Sequence, residues 1–85
     1  MEKLKNVEFY DNGGITIDRI TVVFLNTAKN FYDILETYDC ISCSKTGFEF
    51  FQHGNCTRGR HLGKRVNFND LHPELQKKLI NYFKN

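Results

Sequence analysis

The chain has 85 residues, 40% of them hydrophobic, with eight Phe and four Tyr, enough apolar material for the core of one domain spanning residues 1–85 and too much for a disordered segment. No apolar run approaches the roughly 20 residues that a membrane-spanning helix needs, and the odd count of three Cys argues against a disulfide framework. The net charge of +2 hides an asymmetry: residues 1–49 carry five Lys/Arg against eight Asp/Glu, a balance of −3, whereas residues 50–85 carry seven against two, a balance of +5.

The opening Met1-Glu2-Lys3-Leu4-Lys5-Asn6 lacks the apolar core of a signal peptide, so the whole chain is expected to be the mature protein, in a reducing cytoplasm. A short strand is expected around Val7–Tyr10, ended by the turn signal Asp11-Asn12-Gly13-Gly14, since Asn and Gly tolerate the positive φ of tight reversals. From Arg19 to Leu25 the run is β-branched and apolar on both parities, Ile20, Val22 and Phe24 on one and Val23 and Leu25 on the other. That is how a central strand covered on both faces reads. Ile15 and Ile17 fall on the parity of Arg19, so a bend or bulge is expected near Asp18-Arg19, with an Asp18–Arg19 salt bridge anchoring the start of the strand.

Residues 26–36 fit two patterns: Phe31, Ile34, Leu35 and Tyr38 repeat at helical spacing, while Tyr32, Ile34 and Tyr38 suit a strand. Two strands are expected next, Thr37–Cys43 and Phe48–Gln52, forming a hairpin through Ser44-Lys45-Thr46-Gly47. His53 to Lys64, punctuated by Gly54, Gly59 and Gly63, reads as a loop. The chain ends in a helix capped by Asp70 or His72, with Pro73 in its first turn and Leu75, Leu79 and Phe83 recurring every four residues. Ile80 widens that stripe, and Gln76, Lys77, Lys78 and Asn81 are expected to face water. The expected fold is therefore α+β, a small antiparallel sheet of three to five strands packed against one C-terminal helix.

Two groups of residues could carry chemistry or binding. Cys40, Cys43, His53 and Cys56 form a Cys3His set whose soft ligands suit structural zinc, set against the reading of ordinary buried thiols. A regular strand over Thr37–Cys43 would point Cys40 and Cys43 to opposite faces, which is unfavourable to a shared metal. Cys56 with His53 or His61 is the sole local candidate for a nucleophile and base, without a recognisable third group or oxyanion hole, so an enzyme is not expected. Asp33, Glu36 and Asp39 form a loose acidic cluster that reads as a solvated face. The second group is Arg58, Arg60, His61, Lys64 and Arg65, in a stretch with no acid between Glu49 and Asp70. Arg58, Arg60, Lys64 and Arg65 can neutralise phosphates or carboxylates, and together with His61 they are the expected partner-binding residues, set against a merely solvated loop.

The segments Tyr10-Asp11-Asn12-Gly13-Gly14-Ile15-Thr16-Ile17-Asp18-Arg19, Gly47-Phe48, Gln52-His53-Gly54, and His61-Leu62-Gly63-Lys64-Arg65-Val66 leading into Leu71-His72-Pro73-Glu74-Leu75-Gln76-Lys77 resemble small uncharacterised proteins of bacteriophages and mobile elements. Here His72 stands between the Leu and the Pro-Glu of that pattern, and the Cys40/Cys43 pair is not a mark of it. The resemblance implies a small accessory protein that inhibits a host protein or a defence ribonucleoprotein complex by occupying its surface, in the manner of anti-CRISPR proteins. The alternative is a nucleic-acid-binding regulator using the basic loop 58–65.

Overall fold

The computed structural model describes residues 6–31 and 35–84. The N-terminal start and residues 32–34, on which part of the helix-or-strand ambiguity rested, lie outside the described residues. Five strands, β1 (Val7–Asp11), β2 (Ile20–Phe31), β3 (Leu35–Cys43), β4 (Phe51–Cys56) and β5 (Lys64–Val66), precede one helix, α1 (Pro73–Lys84). They form an antiparallel sheet in the order β4-β3-β2-β1-β5, so the expected α+β class and the central place of β2 both hold.

Alternation along the strands separates two apolar layers. Phe9, Ile20, Val22, Ile41 and Cys43 face α1 and bury Leu75, Leu79 and Phe83 of its stripe, together with Leu71 just before it. The other face carries a smaller cluster of Tyr10, Val23, Tyr38 and Leu62, with Leu62 supplied by the connection between β4 and β5. Helix α1 starts where Pro73 can sit without losing a bond, and the residue that caps it is His72, whose Nδ1 accepts the Glu74 N–H at 3.1 Å. Asp70 instead accepts the Asn67 N–H, closing a short 3-10 turn upstream. Lys78 does not simply face water: its ammonium lies 4.8 Å from the centroid of the Phe51 ring and donates to the Gly47 carbonyl.

The structure moves several expected boundaries. Ile15 and Ile17 belong to no strand; they lie at 85% and 67% exposure in the loop joining β1 to β2, so the parity change near Arg19 marks the loop's end. Arg19 pairs with Asp11 rather than Asp18, through Nε at 2.7 Å, and so clamps the two ends of that loop together. The irregularity in β2 lies further on, between Phe24 and Lys29. There the Thr27 hydroxyl donates to the Phe24 carbonyl and accepts the Asp39 N–H, both at 2.7 Å, which satisfies the backbone groups that the bulge frees. The hairpin through Ser44–Gly47 forms, but its second strand begins at Phe51 and runs through His53-Gly54-Asn55, leaving Phe48 exposed outside it. The expected loop 53–64 therefore contains the end of β4, and β5 begins at its last residue.

Gly63 allows β5 to reach β1. Its φ is +95°, and an added Cβ would lie 2.2 Å from the Asp11 carbonyl oxygen. Gly63→Ala combines backbone strain with a collision against a strand that cannot swing away, so a loss of about 1–3 kcal/mol is expected in chemical denaturation. Substitution without loss would mean that β5 is not docked as described.

Candidate functional site

On the face away from α1, alternation in β1 puts Glu8 beside Tyr10, and the carboxylate is only 3% exposed. A buried carboxylate needs partners. Tyr10 donates its hydroxyl at 2.6 Å, Arg58 forks onto both oxygens at 2.8 and 2.9 Å, and Arg65 approaches at 3.2 Å. The Arg58 guanidinium also stands 5.8 Å from the centre of the Tyr38 ring. Burial pushes the Glu8 carboxyl upward, but the Tyr10 hydrogen bond and the charges of Arg58 and Arg65 outweigh it, leaving its pKa below the ordinary carboxylate value. Burial and the neighbouring Glu8 in turn push the Tyr10 phenol up.

This arrangement divides the basic segment. Arg58 and Arg65 are structural as well as surface groups: they neutralise Glu8 and tie the segment after β4, and β5, to β1. Arg58 is therefore more than a charge on a solvated loop. Arg60, His61 and Lys64 are exposed, with Arg60 and His61 in a 3-10 turn before Leu62 and Lys64 at the start of β5. His61 lies 3.4 Å from the Thr57 hydroxyl through Nε2. Between this turn and the loop joining β1 to β2 lies a depression of about 580 Å³, bordered by Ile15, Thr16 and Asp18 on one side and Thr57, His61 and Leu62 on the other.

The four candidate zinc ligands are not brought together. Cys43 faces α1, where its thiol donates to the Ile20 carbonyl at 3.7 Å and burial pushes its pKa up to about 12. His53 is on the same face, its ring 5.4 Å from that of Tyr82. Cys40 and Cys56 lie on the opposite face, where their thiols meet across β3 and β4. Among the described residues no three Cys, His, Asp or Glu side chains gather as a metal site, and strand alternation divides the four residues of the zinc alternative between the two faces. The hydrogen bond with Cys40 and burial raise the pKa of Cys56, and the sheet separates it from His53, whereas His61 borders the same depression as Cys56.

Sequence reasoning located the basic segment but missed its anchor. A lone Glu between Val7 and Phe9 reads as a solvent-facing strand position, and no local signal marks it as buried. The odd density of Arg across 58–65 was the sole available hint. No helix is long and apolar enough to cross a membrane among the described residues. No family model, no curated protein and no solved structure matches the chain.

Proposed function

We propose that this protein acts by binding rather than by chemistry, as a small phage-type accessory protein that inhibits a bacterial host protein or a defence ribonucleoprotein by covering an acidic or phosphate-bearing surface. The observation that carries this reading is the Glu8 anchor: it holds the backbone of the basic segment in one place, so that Arg60, His61 and Lys64 stand exposed beside a depression on the sheet face that α1 leaves open. Binding residues tend to sit on loops fixed to a rigid scaffold, and preorganised cations lose less entropy on meeting an anionic partner. The exposed Ile15 at the opposite rim adds apolar area to the same surface. An alternative, a nucleic-acid-binding regulator, uses the same cations against phosphates alone.

The test is capture of partners from bacterial lysate on the immobilised protein, with and without nuclease, alongside the Arg60→Glu/Lys64→Glu variant. The variant should keep its stability to within about 0.5 kcal/mol, because both side chains are exposed. A protein partner retained after nuclease and lost by the variant is the expected result. Capture that disappears with nuclease points to the nucleic-acid reading, and capture indifferent to the variant removes the basic segment from the interface.

A further inference from the structure

The α1 side of the sheet holds a second cleft, of about 740 Å³, beside the last turn of the helix, sharing Cys40 and Asn55 with the depression described above. Phe24, Tyr82 and His53 supply ring surfaces there; the Phe24 and Tyr82 centroids are 6.1 Å apart, and those of His53 and Tyr82 5.4 Å. Asp39 stands opposite Phe24 in the β2–β3 register and contributes a half-buried carboxylate on the α1 side. Its backbone N–H is occupied by Thr27, which fixes the residue at the bulge while leaving the carboxylate for other partners. Among the described residues lining the cleft none is Lys or Arg. Tyr82 and Phe83 are in the last turn of α1, at the negative end of its dipole, which Lys84 in the same turn partly offsets.

We infer that this cleft receives an arginine side chain presented by a partner polypeptide. A guanidinium is flat enough to stack on Tyr82 or Phe24 and can fork onto the Asp39 carboxylate, which satisfies the two features of the site with one group. An ammonium could lie over a ring but has no flat face to stack and no fork for the carboxylate, and a neutral planar group would stack but leave Asp39 unpaired. The cleft is much larger than a guanidinium, and Asn55 on the neighbouring edge strand β4 offers an amide to the chain that would carry the arginine. The cleft is on the opposite side of the sheet from the basic segment, so this inference stands or falls independently of the function proposed above.

The test is titration of the isotope-labelled protein with N-acetyl-arginine amide, followed by amide chemical shifts, with N-acetyl-citrulline amide and N-acetyl-lysine amide as parallel probes. Saturable shifts centred on Asp39, Asn55 and Tyr82 are expected, with the arginine probe binding at least tenfold more tightly than the citrulline or the lysine probe. Asp39→Asn keeps the backbone bond to Thr27 and should lower affinity for the arginine probe at least tenfold with an unchanged spectrum elsewhere. Absence of saturable shifts, equal affinity for arginine and citrulline, equal affinity for arginine and lysine, or full affinity in Asp39→Asn would each overturn the assignment. The probe comparisons use the wild-type protein, so the result does not depend on how the variant folds.

Discussion

Arg58→Glu is expected to cost the fold about 3 kcal/mol, a loss that a surface charge reversal would not normally produce. Arg58 itself is 44% exposed, and an ion pair between two such groups would contribute about 1 kcal/mol or less. The size of the effect comes from its partner. Glu8 is buried, so the reversal leaves a desolvated carboxylate facing a second one, and removing one member of a buried pair typically costs about 3–5 kcal/mol. Arg65 and the Tyr10 hydroxyl remain, which places the expected loss at the low end of that range.

The pH dependence distinguishes this cause from a general disturbance. In the native protein Glu8 has a depressed pKa, so its contribution to stability is fully present above the ordinary carboxylate value of 4.5 and is lost as pH falls through the lower folded value. Without Arg58 the burial of Glu8 is less compensated and its folded pKa shifts upward. The gap between the two proteins in urea denaturation should therefore be widest near neutrality and narrow as the pH is lowered toward 4.5 and below. A gap that is constant with pH, or absent at pH 7, would show that Glu8 and Arg58 are not coupled as described.

Leu79→Ala is expected to cost about 2–5 kcal/mol. Leu79 is fully buried in the middle of the α1 stripe, between Leu75 and Phe83, in the cluster that includes Val22 and Ile41. The seat is lined by side chains from separate strands, so it cannot close around the missing atoms without moving the sheet. For a domain of this size the loss is a large share of total stability, since small domains bury little surface to begin with. It should show as a lower denaturation midpoint with an unchanged slope. A change below about 1 kcal/mol would mean that α1 is not seated on the sheet.

The elements that the sequence determined by itself are those whose evidence is local and periodic. The four-residue repeat of Leu75, Leu79 and Phe83 with Pro73 at its start specifies an amphipathic helix, and apolar residues on both parities of Ile20–Leu25 specify a strand with two covered faces. Ser44–Gly47 reads correctly as a reversal because Gly47 takes the positive φ of +80° that the turn requires. Tertiary structure decided the rest, for a common physical reason: the deciding partner is remote in sequence. His53-Gly54-Asn55 carries no strand signal and becomes part of β4 because β3 offers it a row of backbone partners at an edge where polar side chains can face water. The possible zinc set is divided because β3 pairs in regular register and sends Cys40 and Cys43 to opposite faces. The basic segment is visible in the sequence as charge alone. That two of its arginines are spent on Glu8, fifty residues before Arg58, follows from burial of that carboxylate, whose desolvation free energy is met only when β1, β5 and the segment after β4 are assembled on the same face.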